Sequence, residues 1–287
     1  MEKSAESLVS VITPCYNGRK YLADFLDSLI AQTYSNIEFI FINDGSKDNT
    51  QKILFSYKEK FKKNGIKLIY LQQENQGQAA ALNLGLKHFT GKYLTWPDSD
   101  DFLHKDNIKK RVEFLEKHET HGMVLCDSPI LGKYLTILRV KSRHPRTPDT
   151  LFRDLIVEKN VYFAGGAYMF RVSAFLKVNP KREIYAARGG QNWQMILPMA
   201  YSQKCGYIHL RLYLIRSHPG SHSRRVHGLQ GKLKRMDEHE KILLNTLDAI
   251  PIMKKKPKIY YTKLIKKKYA LRRRRAGYKP IPKTGGE

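Results

Sequence analysis

The chain has 287 residues, 41% of them hydrophobic, which is enough for one large core or for a core domain with an appendage. It carries 52 Lys and Arg against 26 Asp and Glu, and the formal net charge of +26 indicates an anionic partner, either a nucleic acid or an anionic membrane surface. No stretch approaches the roughly 18 consecutive apolar residues of a membrane-spanning helix. The first residues lack the basic and apolar regions of a signal peptide.

Cysteine usage points to a reducing compartment. Cys15, Cys126 and Cys205 are far apart, form no Cys-x-x-Cys pair and are odd in number. Such cysteines are typical of reduced thiols in a cytoplasmic protein, and we expect Cys15 to behave as a small buried apolar residue.

Apolar runs alternate with helical patterns in the first hundred residues. Buried strands are predicted at 8–12, 37–42, 66–71 and 92–95, with helices at 21–31, from 48 onward, and from 78 to about 88. This alternation predicts an α/β fold with a mostly parallel, doubly wound sheet. Ligands bind such sheets at the carboxyl ends of the strands, so the polar loops at 13–18, 43–48, 75–78 and 98–101 are expected to form one site.

The pattern loosens after about residue 105. Further strands are predicted at 123–126, 134–140 and 207–215, and an apolar run follows the paired glycines Gly165 and Gly166. Helices are predicted around Met195, Ile196 and Leu197 and at 228–250. A strongly basic segment follows, because twelve Lys or Arg and no acid lie between Lys254 and Arg275. This segment is expected either to bind an anionic surface or to remain a solvated tail.

Three carboxylates lie within four positions directly after the predicted strand 92–95, at Asp98, Asp100 and Asp101. Carboxylates this close repel one another unless a cation lies between them. The cluster therefore predicts a Mg²⁺ or Mn²⁺ site bridging to phosphate oxygens, and strand alternation predicts Asp98 and Asp100 on the same side. An acidic turn that caps the next helix is the alternative.

Four motifs occur in a fixed order. They are Val9–Asn17, Asn43–Thr50, Asn75–Gln78 followed by Asn83–Gly85, and Asp98-Ser99-Asp100. Together they resemble glycosyltransferase family 2, the nucleotide-sugar-dependent enzymes of the GT-A fold, and Asp98-Ser99-Asp100 is similar to the family's DXD motif. Two positions depart from the family pattern: Asn43 stands where many members have Asp, and Leu82 where Arg is common.

The resemblance covers about residues 8–225. It implies a GT-A domain at 1–225, with a nucleotide-sugar half at about 1–105 and an acceptor half at about 106–225. Residues 226–287 would then form a helical, strongly basic C-terminal extension.

Donor-binding residues follow from the matched loops. Tyr16 can stack on the base, unless it is a core aromatic residue, and Asp44 can accept the imide N–H of uracil, unless it only closes a turn. Thr13, Asn75 and Gln78 are expected to contact the nucleotide or to satisfy loop backbone groups.

Metal binding is implied for Asp98, Asp100 and His218, with Asp98 also able to meet the ribose. His218 matches the family's Arg-x-His arrangement, here Arg216-Ser217-His218, and a nitrogen ligand favours Mn²⁺ over Mg²⁺. The alternative is a loop histidine with no ligand, and His222 is a second candidate.

The catalytic base is the main departure from the family. Members usually supply an Asp from a Glu-Asp pair at the head of a helix, where this chain has Gln191 and Asn192. An amide cannot act as a base, so these two residues are expected at most to position the acceptor. The carboxylates left as candidates are Asp101, Asp127, Asp154 and Glu183, of which Asp127 follows the predicted strand 123–126.

The resemblance implies an inverting, metal-dependent transfer of a hexose or N-acetylhexosamine from a nucleotide diphosphate-sugar, with UDP as the expected carrier. The acceptor is expected to be a growing, polyprenyl-linked bacterial surface or capsular glycan at the inner face of the plasma membrane. The segment 254–275 would hold the protein there peripherally, at about 1 kcal/mol per basic residue.

Three alternatives remain. Within the enzyme class, the acceptor can be an anionic polymer or a protein-linked glycan. Charge alone also fits a nucleic-acid-binding protein, although the sequence contains no such motif and no specific nucleic acid is expected. A nucleotidyltransferase would carry a Gly-rich basic loop after the first strand, and residues 13–19 do not form one.

Overall fold

Ten strands and ten α-helices occur in the part of the chain that the computed structural model describes, residues 6–132, 136–141, 148–159, 161, 163–218 and 228–277. The strands are β1 Val9–Cys15, β2 Ile37–Asp44, β3 Lys67–Gln73, β4 Tyr93–Thr95, β5 Phe102–Leu103, β6 His121–Leu131, β7 Ile137–Lys141, β8 Tyr168–Arg171, β9 Lys204–Arg211 and β10 Tyr213–Arg216. The helices are α1 Leu22–Ile30, α2 Thr50–Ser56, α3 Lys58–Lys63, α4 Gln78–Leu86, α5 Asn107–Lys117, α6 Pro148–Val157, α7 Val172–Val178, α8 Gln191–Ser202, α9 Gly228–Ala249 and α10 Lys255–Arg275.

The strands form one sheet in the order β3-β2-β1-β4-β8-β6-β10-β5, with β7 and β9 also paired to β6. Strands β3, β2, β1 and β4 are mutually parallel, whereas β8 runs antiparallel to both β4 and β6. The mostly parallel α/β sheet expected from the sequence is therefore confirmed.

Strands β1 and β2 are buried along their whole length, as their continuous apolar runs require in a parallel sheet. Glu38 is a charged and fully buried side chain within β2. Its carboxylate accepts hydrogen bonds from Ser10 Oγ at 2.5 Å, Thr90 Oγ1 at 2.8 Å and Gly91 N at 3.1 Å. These bonds satisfy the buried charge and fix the entry into β4.

The predicted strand 207–215 is two strands, because the chain changes partner at Leu212. Strand β9 runs along β6 as far as Asp127, and β10 then pairs with β5 on one side and with the end of β6 on the other. This change of partner brings Tyr213 and Arg216 beside residues 98–101, which are called the acidic loop below. Of the predicted strand 134–140, the structure places Ile137 onward in β7, and residues 133–135 lie outside the described ranges.

The predicted helical C-terminal extension is confirmed. Leu243 on α9 and Ile265 and Tyr269 on α10 are fully buried and belong to the same apolar cluster as the sheet. Glu158, directly after α6, accepts from Lys268 Nζ at 2.8 Å and from Arg272 Nη1 at 2.8 Å. Helix α10 is therefore docked on the core by both apolar and ionic contacts. Nothing in the described part of the chain forms a helix both long and apolar enough to cross a bilayer.

Candidate active site

The four polar loops meet at the carboxyl ends of β1 to β4. Asn17 N donates to Ser46 Oγ at 2.9 Å, and Lys47 N donates to Asn17 Oδ1 at 2.9 Å, which joins the first two loops. Gln78 Nε2 donates to Asp98 Oδ1 at 2.6 Å and so joins the third loop to the acidic one. The expectation of a single loop cluster is confirmed.

Asp44 holds the loop that precedes α4. Its Oδ1 accepts from Gln73 Nε2 at 2.8 Å and Gln76 N at 3.0 Å, and its Oδ2 accepts from Asn75 Nδ2 at 3.2 Å and Gly77 N at 2.9 Å. A carboxylate has about four acceptor positions, so these bonds occupy them all. Gly77 has a φ of 93°, a backbone conformation that favours glycine, and the Asp44 bonds stabilise the turn.

Two further donor-site candidates lie at the end of β1. Tyr16 is 47% exposed, so its ring is open to stacking. Thr13 is fully buried, and its Oγ1 has no hydrogen-bond partner among the described residues. Cys15 lies between them in the sequence and is buried. Burial raises the pKa of its thiol to about 12, so the thiol is expected to be unreactive.

The acidic loop is anchored by Asp101. Tyr213 OH donates to Asp101 Oδ2 at 2.5 Å and accepts from Asp98 N at 3.1 Å, while Arg216 N donates to Asp101 Oδ1 at 2.8 Å. Because β4 ends at Thr95, strand alternation does not govern Asp98 and Asp100. The Asp98 carboxylate contacts Gln78 instead, and Asp100 Oδ2 lies 2.7 Å from His218 Nε2.

Burial and mutual repulsion disfavour the ionised forms of Asp98 and Asp101. Burial, followed by the charge of Asp100, raises the pKa of Asp98 to about 7. Burial and the charges of Asp100 and Asp98 raise the pKa of Asp101 well above its usual value. A divalent cation offsets such repulsion, and carboxylate oxygens with an imidazole nitrogen suit Mn²⁺ or Mg²⁺. The chemistry of Asp98, Asp100 and His218 therefore fits such an ion, although no three acidic, His or Cys side chains of the described residues are already arranged as a metal cage.

Next to His218 lie Tyr21, which no motif revealed, and Arg216 of the same Arg-x-His arrangement. The centroid of the His218 ring lies 4.6 Å from that of the Tyr21 ring. The Arg216 guanidinium lies 4.7 Å from the centroid of the Tyr21 ring. Arg216 also donates to the Asp100 carbonyl at 3.1 Å and pairs with Asp24. Tyr21 and Tyr213 carry no sequence signal, because they lie in ordinary helix and strand patterns, and His222 lies outside the described residues.

At the head of α8, Asn192 joins two distant segments. Its Oδ1 accepts from Trp96 Nε1 at 2.8 Å, and its Nδ2 donates to the Phe163 carbonyl at 2.7 Å. Both ends of the amide are thus used within the protein. Gln191 is buried at the first position of α8, after Gly190 in the left-handed conformation.

Asp127 lies apart from these contacts, on β6. It is 7% exposed and accepts a hydrogen bond from Tyr207 OH. Among the residues described, no hydrogen bond or ion pair joins Asp127 to the acidic loop. The structure thus connects Gln78, Asp98, Asp100 and His218, and leaves Asp127 with a partner of its own.

The chain is similar to known proteins in both sequence and fold. The model of "Glycosyl transferase family 2" matches residues 10–178. The EpsE protein of Bacillus subtilis is 30% identical over 218 residues, which cover 76% of each chain. The crystal structure of S. aureus TarS 1–349 in complex with UDP-GlcNAc superposes with a TM-score of 0.68 at 18% identity, over 91% of this chain and 72% of TarS.

Other relatives are longer than this chain. An uncharacterised glycosyltransferase of Rickettsia prowazekii is 42% identical over 118 residues, which are 41% of this chain and 35% of that protein. The chain thus spans about a third of that relative's length. The TarS superposition confirms the GT-A fold, and the family match over more than half of the sequence shows that the chain belongs to glycosyltransferase family 2.

Proposed function

We propose that the chain transfers a hexose or an N-acetylhexosamine from a nucleotide diphosphate-sugar, with UDP as the carrier, to a growing bacterial surface glycan. The observation that carries this proposal is the contact of Asp100 with His218, next to Asp98, at the point where the four loops meet. The TarS structure, which contains UDP-GlcNAc, supports a UDP-sugar as the donor.

Donor binding is assigned to the loops at the ends of β1 to β3. The exposed ring of Tyr16 offers a stacking surface for the base, at about 1–3 kcal/mol. Asp44 fixes the loop of Asn75 and Gly77, and we propose that it acts on the base through this loop. Gln78 orients Asp98 toward the diphosphate or the ribose, and the unpartnered hydroxyl of Thr13 is proposed as a further contact to the donor.

The proposed metal ligands are Asp98, Asp100 and His218. Mn²⁺ or Mg²⁺, when bound, neutralises the charge that develops on the departing diphosphate. The protein's own part is to hold these ligands: Tyr213 and Arg216 anchor Asp101 beneath them, and Tyr21 packs against His218.

Inverting transfer needs a base that takes the acceptor's proton. Asn192 cannot fill this role, because its amide is not basic and both ends are engaged. We propose Asp127 as the base, with Tyr207 as the hydroxyl that orients its carboxylate. We propose that Gln191, at the head of α8, positions the acceptor.

The outer face of α10, defined here as Tyr260, Lys263, Lys266, Lys267 and Leu271, is proposed to hold the protein at the inner face of the plasma membrane. Tyr260 is 55% exposed and Leu271 44% exposed, an unusual pair of apolar side chains amid lysines. The three lysines form no ion pair within the described ranges. Cations interleaved with apolar side chains suit an anionic bilayer surface, where a lipid-linked acceptor would lie.

A donor panel tests the proposal. The purified protein would be incubated with UDP-, GDP- and TDP-sugars, with and without Mn²⁺, and release of the nucleotide diphosphate measured. We expect metal-stimulated release from one or more UDP-sugars, lost in Asp100→Asn. Equal background release from every donor, unchanged by the metal and by Asp100→Asn, would refute it.

A further inference from the structure

A cationic groove lies between α9 and α10, outside the loops assigned to the donor. It has a volume of about 640 Å³, and its lining includes Lys232, Arg235 and His239 from α9 and Arg272 and Arg275 from α10. Pockets that hold small ligands typically measure about 300–1,000 Å³, so a phosphate or diphosphate group fits.

Helical spacing explains why these side chains converge. Lys232, Arg235 and His239 are three and four residues apart on α9, and Arg272 and Arg275 are three apart on α10, so each set lies on one face of its helix. The two faces are brought together by Arg273, which bonds Asp237 Oδ1 at 2.6 Å from its Nη2. Cations from two helices are thereby held side by side, an arrangement that an anion would stabilise.

The acid in the groove lining, Glu158, offsets the charge of Arg272 but not that of Lys232 or Arg275. Glu158 Oε1 already accepts from Lys268 Nζ at 2.8 Å, from Arg272 Nη1 at 2.8 Å and from Tyr269 OH at 3.3 Å. Lys232 and Arg275 are exposed and form no ion pair in the described part of the chain. Burial, followed by the charge of Arg235, lowers the pKa of His239 to about 4, so His239 adds a neutral hydrogen-bonding ring.

The groove adjoins the head of α8, which contacts the candidate site. The His239 ring packs edge-on against Trp193 at 4.7 Å between centroids, and Trp193 follows Asn192, which bonds Trp96 beside the acidic loop. A group bound in the groove would thus lie behind the head of α8, where Gln191 is proposed to position the acceptor.

We propose that this groove binds a phosphate or diphosphate group carried by the acceptor. This inference rests on the proposed glycosyl transfer, and it assigns the acceptor to the phosphate-bearing class, with a polyprenyl diphosphate as the source. Phosphate oxygens accept charge-assisted bonds from Lys and Arg, and the two helices supply such donors from opposite sides.

Two matched double variants test it. Lys232→Ala/Arg275→Ala removes two cations of the lining, whereas Lys234→Ala/Arg274→Ala removes two exposed cations from the same helices that do not line the groove. The probe is inorganic pyrophosphate, titrated by calorimetry with EDTA present so that no metal-held diphosphate at the donor loops contributes. We expect affinity to fall at least tenfold in the groove variant and less than twofold in its control. An equal fall in both would show only diffuse charge and would overturn the site.

A vesicle-binding experiment identifies which molecule carries the phosphate group. Neutral phosphatidylcholine vesicles carrying either a polyprenyl diphosphate or the same charge of phosphatidylglycerol would be sedimented with each variant. Loss of binding by the groove variant on the diphosphate vesicles alone supports the acceptor assignment, whereas equal loss on both overturns it in favour of bulk lipid. Neither calorimetry nor sedimentation depends on turnover. A failed donor panel would therefore contradict the proposed glycosyl transfer without changing the measured binding in the groove. Loss of the groove result would likewise leave the donor panel unchanged.

Discussion

The side-chain oxygen of Asn192 lies 2.8 Å from the indole nitrogen of Trp96, and this bond joins the head of α8 to the acidic loop. The position that carries an acid in the resembled family is therefore a structural amide here. Its other end donates to the Phe163 carbonyl at 2.7 Å, so each end of the amide is bonded to a distant segment of the protein.

Asn192→Asp tests this interpretation. A carboxylate can still accept from Trp96, but it cannot donate to the Phe163 carbonyl and would repel it. We expect a loss of about 1–3 kcal/mol in the free energy of unfolding and no gain in transfer rate. Urea denaturation and initial rates would be measured together with the exposed control Asp27→Asn. Faster transfer in Asn192→Asp would show that the position does face the acceptor.

Asp100→Asn is expected to reduce transfer nearly to background while the fold stays intact. The amide keeps the size of the side chain and can still bond His218, but it loses the charge that would hold a divalent cation. The lost stabilisation of the leaving group should amount to several kcal/mol. Initial rates with saturating Mn²⁺ and circular dichroism would be compared with Asp27→Asn. Wild-type turnover in the folded variant would remove Asp100 from the metal site.

Asp44→Asn should weaken nucleotide binding because it opens the loop of residues 75–77. The new amide nitrogen would replace one of the two oxygens and would then face an N–H donor, either Gln76 N, now 3.0 Å from Oδ1, or Gly77 N, now 2.9 Å from Oδ2. We expect at least a tenfold loss of UDP affinity by calorimetry and a smaller fall in the rate at saturating donor. Unchanged UDP affinity would mean that the loop turn does not serve the nucleotide.

His239→Gln is expected to flatten the acid side of the stability profile. Burial lowers the pKa of His239 to about 4, below the roughly 6.5 of an unfolded chain, so between these values the unfolded state binds more protons. Stability from this group is full above pH 6.5 and is lost as the pH falls toward 4, by about 2 kcal/mol at most between pH 7.5 and 5. Urea unfolding at both pH values should show a smaller fall in His239→Gln than in wild type. The exposed His88→Gln is the control, and equal falls in all three proteins would contradict the prediction.

Local patterns predicted the sheet and the loop cluster, because each depends on a short run of residues and on the fixed geometry of parallel strands. The role of Asn192 and the docking of α10 could not be found in this way. Asn192 and Trp96 are 96 residues apart, and Lys268 and Glu158 are 110 apart, so both contacts exist only after the chain has folded. The basic segment shows the difference most clearly. Composition treats its twelve cations alike, whereas the structure pairs Lys258, Lys268, Arg272 and Arg273 with acids.

This division of the cations makes a charge-only test of membrane binding preferable to truncation. Removing α10 would expose the core around Ile265 and Tyr269, both fully buried, so a truncated chain could fail for reasons unrelated to lipid. Replacing Lys263, Lys266 and Lys267 by Gln keeps the helix and its packing. At about 1 kcal/mol per lysine, partitioning onto phosphatidylglycerol vesicles should fall by about a hundredfold.

The matched control for this triple variant is Lys52, Lys62 and Lys63 replaced by Gln, which removes the same charge from exposed positions on α2 and α3. Sedimentation would be measured at low salt and at 1 M salt, where the Debye length is about 3 Å and surface attraction should vanish for every variant. If the two triple variants lose vesicle binding equally at low salt, net charge alone governs it, and the outer face of α10 has no special part in holding the protein at a membrane.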